Sequence, residues 1–274
     1  MTTLTIDLGG TNIRAARITD GEMERHAAVS CHADGSEQDV LDQLYALIDQ
    51  LLDHRVERIG IGVPSVVDFT RGIVYDVQNI PSWKEVRLKE LIERRYRLET
   101  RVDNDVNCYV LGEKYFGSAR AFSDIVGITL GTGIGAGIII NGAIYRGHDT
   151  GAGEIGCLPY RDGIYEQYCS GMWMRRLGLD GELLSRQAAA GDETALAVWR
   201  RFGHHLGKVM QAVLLAYNPE AIIIGGGIAK GAPYFEASMR RSMADDFPYP
   251  REIEHTRVLF SSLENGNLLG ASKL

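Results

Sequence analysis

Short apolar runs interrupted by glycine turns dominate the chain, and their spacing predicts most of its elements. Residues 3–7, 12–18 and 23–29 read as three strands. Val40, Leu41, Leu44, Leu47, Ile48, Leu51 and Leu52 then recur at helical spacing behind Ser36, a suitable N-cap. The apolar run 58–63 stops at Pro64 and reads as a buried strand; a helix is expected over 84–96 and a strand over 99–102. The order is βββαβαβ. Asp103-Asn104-Asp105 closes the last strand and stands before a helical stretch, 106–116, where Asn or Asp is a good cap. A strand at 125–129 and a hairpin reaching Tyr145 then repeat the opening. Beyond a loop-rich section come a long helix over 193–217, an Asn218-Pro219 stop, a strand over 221–224 and a short final helix over 268–274.

One pattern occurs twice. Leu8-Gly9-Gly10-Thr11 and Leu130-Gly131-Thr132-Gly133 each follow a strand and precede an apolar hairpin, which turns at Asp20-Gly21 in the first case and at Asn141-Gly142 in the second. Asp-Gly and Asn-Gly are the dipeptides a type I′ turn requires. Repetition of one unit predicts two similar halves. A strand–glycine turn–strand exposes backbone N–H groups with no side chain over them, which suits phosphate, and two such turns could hold a polyphosphate; taken singly, either is more simply a tight turn. Gly225-Gly226-Gly227, at the end of a strand, is a third candidate phosphate or nucleotide contact.

Charge and cysteine content narrow the partners. The 274 residues fit one large domain or two ordinary ones, and the formal charge of −7, with no Lys/Arg block, argues against a nucleic-acid or anionic-membrane surface. A small-molecule partner is expected. The longest glycine-diluted apolar stretch, 134–140, is far shorter than a spanning helix, and the N-terminus enters a strand without a signal-peptide pattern. Cys31, Cys108, Cys157 and Cys169 form no Cys-x-x-Cys pair, which suits reduced thiols. A cytoplasmic location is therefore expected. No Gly-x-x-x-x-Gly-Lys-Ser/Thr is present, which removes the P-loop alternative. Residues 131–136 match a Gly-x-Gly-x-x-Ala dinucleotide fingerprint, but that motif must open a helix, and 138–145 reads as a hairpin.

A three-strand hairpin sheet, crossover helix and further strand, present twice, describe the duplicated ribonuclease-H-like α/β fold of the actin, hexokinase and Hsp70 class. The segments 7–12 (Asp-Leu-Gly-Gly-Thr-Asn), 104–107 (Asn-Asp-Val-Asn), 131–135 (Gly-Thr-Gly-Ile-Gly), 151–156 (Gly-Ala-Gly-Glu-Ile-Gly) and 219–227 resemble, in order, signature segments of the ROK family of bacterial sugar kinases and sugar-responsive repressors. The resemblance implies an ATP- and Mg²⁺-dependent hexose kinase of two lobes, 1–116 with a C-terminal helix (about 265–274) packing back on it, and 117–264, with a cleft between them. It also implies a homodimer. By resemblance, Asp105 is the catalytic base and Asn104 binds sugar hydroxyls, as do Asn79, Glu154 and Glu166. On the residues alone, a helix cap at Asn104 or Asp105 is the simpler reading. Gly9, Gly10, Thr11 and Asn12 would face the transferred phosphate, and Gly131, Thr132 and Gly133 the others. Asp7, beside bound phosphates, is assigned to Mg²⁺ through water, against the simpler reading of a strand-end Asx turn.

The chain also departs from the family pattern. Most members carry Glu-Ile-Gly-His followed by Cys-x-Cys-Gly-x-x-Gly-Cys, a structural zinc site whose His also touches the sugar. Here the segment ends in Cys157, the cysteine cluster is missing, and Glu166 stands nine positions beyond. His148, Cys157 and Cys169 are too scattered to make a convincing zinc site, so none is expected; Cys157 remains a candidate substrate contact. Ser65 stands where many members have Gly. The competing functions are an N-acetylhexosamine kinase, a sugar-sensing repressor and a sugar-binding protein without turnover. The acidic charge and the early first strand speak against the repressor, and Asp105 with the glycine turns speaks against loss of turnover.

Overall fold

Alternating apolar residues and two glycine-bearing turns fold the first thirty positions into a meander, as the computed structural model, which describes residues 1–148 and 151–274, shows. β1 (Thr2–Leu8), β2 (Asn12–Thr19) and β3 (Glu22–Ser30) pair antiparallel. The β2–β3 turn places both Asp20 (φ 51°) and Gly21 (φ 92°) at positive φ, as a type I′ turn requires. α1 (Glu37–Leu51) opens with a capping box: Ser36 Oγ accepts from Asp39 N, and the Asp39 carboxylate accepts from Ser36 N. Its buried stripe, Val40, Leu41, Leu44, Leu47, Ile48 and Leu51, joins Leu4, Ile6, Leu8, Ile59, Ile61 and Val102 in one core.

β4 (Val56–Val63) lies parallel to β1. β5 (Val66–Asp68), β6 (Ile73–Tyr75) and β7 (Glu85–Val86) form a small antiparallel sheet that the sequence reading passed over. It shortens the expected helix: Glu85-Val86 pairs with Val74-Tyr75, so α2 runs only over Leu88–Tyr96. β8 (Glu99–Asn104) is parallel to β4, and α3 (Asp105–Tyr115) follows at once. The sheet order is β3-β2-β1-β4-β8.

β9 (Ile125–Leu130) and β10 (Ile134–Ile140) repeat the antiparallel opening, and Asn141 and Gly142 again both have positive φ before β11 (Ala143–Ile144). The section expected to be loop holds β12 (Pro159–Tyr160), β13 (Gly163–Ile164), α4 (Gly171–Arg176) and α5 (Gly181–Ala189). α6 (Glu193–Tyr217) has the expected bounds and ends on Asn218 in the left-handed region. β14 (Ala221–Gly225) is parallel to both β9 and β15 (Arg257–Phe260), with α7 (Ala232–Ala244) and α8 (Pro250–His255) between. The second sheet reads β11-β10-β9-β14-β15, the same order as the first. This is the duplicated ribonuclease-H-like arrangement expected from the sequence.

α9 (Gly266–Ala271), shorter than the expected 268–274, closes the chain. Leu268 packs with Ala16 and Ile18, and Arg58 donates to the carbonyls of Ser272 (2.6 Å) and Leu274 (3.2 Å). The backbone divides into one unit comprising Met1–Ala121, Ile144–Ala152 and Leu263–Leu274, and a second comprising Phe122–Ala143 and Gly153–Ser262. No helix among the described residues is long and apolar enough to cross a membrane.

Candidate active site

The parallel strands of the first unit end together, and the candidate residues follow those ends. Asp7, Gly62 and Asp103 are neighbours in register across β1, β4 and β8, so the first glycine turn, Pro64-Ser65 and Asn104-Asp105 leave the sheet along one carboxyl edge. Such edges are where α/β sheets bind ligands. Leu8 pairs with Ile13, which leaves Gly9, Gly10, Thr11 and Asn12 as the turn, closed by Gly9 N–H donating to Asn12 O (2.9 Å). Thr11 and Asn12 are exposed.

Asn79 stands against that turn. A Cβ built on Gly10 would lie 2.5 Å from Asn79 Cβ, so only glycine admits this approach. The loop bearing Asn79 is anchored by buried Val77, Ile80 and Trp83 and by Val77 N–H donating to Trp83 O (3.0 Å), which leaves Asn79 exposed.

Asn104 is the cap of α3: its Oδ1 accepts from Val106 N (2.8 Å) and Asn107 N (3.3 Å), and its Nδ2 donates to Ser65 O (3.1 Å). Ser65 Oγ in turn donates to Tyr75 O, so the residue that departs from the family glycine is bonded on two sides. Asp105 becomes the first helical residue, half-buried, in the turn where the helix dipole favours a carboxylate. Of the Asn-Asp pair, Asn104 is the cap and Asp105 is the first residue of the helix.

Asp7 is buried and already has partners. Arg14 Nε (3.1 Å) and Nη2 donate to Oδ2, while Asn267 Nδ2 donates to Oδ1 over 3.3 Å. Each carboxylate oxygen accepts more than one hydrogen bond, so Oδ1 keeps capacity for a water of a hydrated cation. Mg²⁺ retains several waters and relies on few carboxylates plus phosphates, and this single engaged carboxylate fits that mode of binding.

In the second unit, Leu130 pairs with Ile134 and leaves the three-residue turn Gly131-Thr132-Gly133, closed by Gly131 N–H donating to Gly133 O (3.1 Å). Gly171 N–H and Met172 N–H donate to the carbonyls of Gly131 (2.8 Å) and Thr132 (2.9 Å), fixing α4 against this turn. Gly226, at φ 89°, approaches the Leu130 backbone so closely that a side chain could not fit. Gly225 is buried, whereas Gly226 and Gly227 are exposed.

Glu166 reaches the same turn, its Oε2 accepting from Ile134 N (3.4 Å). Glu154, Cys157 and Glu166 form one electrostatic group. Desolvation first, then the Glu166 charge, raise the Glu154 pKa above the ordinary 4.5; desolvation and both glutamates raise that of the Cys157 thiol. Cys157 Sγ lies 4.0 Å from Glu154 Oε2. At neutral pH, Cys157 is therefore a thiol, a weak donor. Cys169 is buried and Cys157 exposed. Among the described residues, no three His, Cys, Asp or Glu side chains gather as a metal site.

The shortened loop carrying Glu166 is held by aromatic packing. Tyr160, on β12, stacks on Tyr165 at 4.6 Å and meets Tyr168 edge-on at 5.2 Å, and its hydroxyl is hydrogen-bonded to His205 Nδ1 (3.1 Å). Burial lowers the His205 pKa to about 4, with Arg161, His204 and Arg201 adding to the effect.

A family model described as the ROK family matches residues 3–274. The chain belongs to the ROK family. It is 29% identical to the glucokinase of Thermotoga maritima, over 98% of this chain and 95% of that protein. It is 30% identical to the xylose repressor of Bacillus subtilis, over 86% of this chain and 65% of the repressor. The crystal structure of a ROK family glucokinase from Streptomyces griseus, in complex with glucose and AMPPNP, superposes with a TM-score of 0.87 at 27% identity, covering 100% of this chain and 98% of that one.

For this ROK chain, sequence reasoning missed Arg14, Asn267, Asp103 and Arg146, which bond the candidate residues or their turns. Arg14 was findable, because a hairpin that pairs Leu8 with Ile13 also pairs Asp7 with Arg14. Asp103 bonds its neighbours Asn104 and Asn107, whereas the contacts of Asn267 and Arg146 join distant parts of the chain and leave no local signal.

Proposed function

We propose that this chain transfers the γ-phosphoryl group of ATP to the 6-hydroxyl of a hexose, glucose being the first candidate. Its membership of the ROK family and its similarity to a glucokinase along nearly its whole length support sugar phosphorylation. The carrying observation is Asp105 as the first residue of α3, directly after the Asn104 cap and at the carboxyl edge of the first sheet.

In this reading, the sugar oxygen attacks the γ-phosphorus, its proton passes to the Asp105 carboxylate, and the bond to the β-phosphate oxygen breaks to release ADP. The helix N-terminus favours the ionised, proton-accepting form of Asp105. Asn104, Asn79, Glu154 and Glu166 bind sugar hydroxyls through planar amides and carboxylates, and Cys157 contributes a weak donor. The glycine turns at 9–12 and 131–133, with Gly225, Gly226 and Gly227, would face the phosphates of the nucleotide. Asp7 would hold Mg²⁺ through water, and the cation supplies charge neutralisation of the phosphates. The Tyr160 packing takes the place of a zinc site, so turnover needs no zinc. The protein acts as a homodimer in the cytoplasm, without nucleic-acid or membrane partners.

The test is a coupled ADP-release assay with ATP and Mg²⁺ over glucose, mannose, fructose, allose and N-acetylated hexosamines. Turnover on glucose, unchanged by a zinc-selective chelator, is expected. The 30% identity to a xylose repressor favours one second reading, a sugar sensor. Sugar binding by calorimetry with no ADP release would select it.

A further inference from the structure

We infer that Arg146 is a positioning residue for phosphoryl transfer: through the buried Asp103 it clamps the β8–α3 turn so that Asp105 is held in one orientation. The inference rests on the sugar-kinase reading for its catalytic half and on geometry alone for the clamp.

The Asp103 side chain is only 3% exposed, and both its oxygens are engaged. Oδ2 accepts from Arg146 Nε (2.8 Å) and Nη2 (2.7 Å); Oδ1 accepts from Asn104 N (2.8 Å) and Asn107 Nδ2 (2.8 Å). One carboxylate therefore grips the residue before Asp105 and the residue two beyond it. Asn104 Oδ1 closes the same turn from the other side by capping Val106 and Asn107. Arg146 is itself fixed: its guanidinium carbon lies 3.7 Å from the centroid of the Phe69 ring, and its carbonyl accepts from Ala152 N (3.4 Å). Phe69 orients the plane of the guanidinium, and two of its N–H groups meet Asp103 together. A lysine supplies the charge but neither the plane nor the paired donors.

Without Arg146, Asp103 is a buried carboxylate lacking its ion-pair partner. It then has nothing fixing Oδ2 and is free to turn, which loosens its hold on Asn104 and Asn107. The loss falls on the orientation of Asp105 rather than on nucleotide binding. A base displaced by about an ångström loses on the order of 100-fold in rate.

The experiment compares wild type, Arg146→Met, Arg146→Lys, Asp103→Asn and the Met/Asn double variant in steady-state kinetics and in amide hydrogen exchange. Arg146→Met is expected to lower kcat about 10–100-fold while the KM for ATP moves less than threefold, with Arg146→Lys recovering part of kcat. Exchange at Val106 and Asn107 is expected to rise at least about tenfold, with β1 and β4 amides unchanged. The double variant is expected to lose no more kcat than either single variant, because both remove one interaction. A kcat within twofold of wild type, additive losses, or unchanged exchange at Val106 and Asn107 would each overturn the clamp. If Arg146→Met loses protection throughout β1 and β4, the same criteria pass to Asp103→Asn, which keeps volume and shape. A wild type that turns over no hexose overturns the kinase reading and the catalytic half of this inference, whereas the exchange comparison judges the clamp separately.

Discussion

Arg14 and Asp7 face each other across the first hairpin, and the Arg14 guanidinium binds Oδ2 of the carboxylate that immediately precedes the Leu8-Gly9-Gly10 turn. The pair is unequal: the Asp7 side chain is 10% exposed and that of Arg14 42%. Arg14 can swing into solvent, whereas Asp7 cannot. In the proposed kinase, a hydrated cation at Oδ1 therefore shares the carboxylate with a positive guanidinium at Oδ2.

Replacing Arg14 with Met removes that second positive charge. The Mg²⁺ concentration giving half-maximal turnover is expected to fall about twofold to fivefold, the factor equivalent to the ~0.5–1 kcal/mol of a partly exposed ion pair. A magnesium titration of turnover measures it, and an unchanged or higher midpoint would show that the Arg14 charge does not weaken cation binding at Asp7.

Gly131 allows the proposed phosphate contact to be tested apart from folding. A Cβ built there meets no protein atom within 4 Å, so Gly131→Ala fits the fold as it stands. Its unfolding free energy is expected to stay within about 0.5 kcal/mol of wild type. The methyl group would instead project into the open space beside a turn proposed to face the phosphates, so the KM for ATP is expected to rise at least about tenfold. Wild-type kinetics in this variant would remove the turn from the nucleotide site.

His205 makes stability depend on pH. Its folded pKa of about 4 lies below the ordinary 6.5, so between those values the unfolded chain binds the extra proton. The associated stability is fully present above pH 6.5 and is lost as pH falls toward 4, by an amount on the order of 2–3 kcal/mol. Urea unfolding at pH 7 and pH 5, for wild type and His205→Gln, checks this. The variant should lose less stability than wild type over that interval, and an equal loss in both would assign the effect to other groups.

Local chemistry explains which features were legible in the sequence. The two meanders were readable because Asp20-Gly21 and Asn141-Gly142 need positive φ, which few dipeptides accept. α6 was readable because a 25-residue amphipathic helix carries its own period and stop. The β5–β7 sheet was not, since strands of two or three residues have no measurable alternation and are defined by partners elsewhere in the chain. α7 did carry a signal, buried Phe235, Met239 and Met243 one helical turn apart behind Pro233, that the reading passed over. In the candidate site, the turns and the Asn104-Asp105 pair stood out as motifs. Asp103 and Arg146, 43 positions apart, meet only through the folded backbone, and so do Glu154 and Glu166.

The assignment of Asp105 as general base is tested most directly by Asp105→Asn in the ADP-release assay, with hexose affinity measured in parallel by calorimetry. The substitution keeps the size of the side chain and removes its capacity to take a proton. Turnover is expected to fall about 10²–10⁴-fold, with the hexose dissociation constant changed less than about threefold. Turnover within a few-fold of wild type, with sugar binding intact, would contradict the assignment.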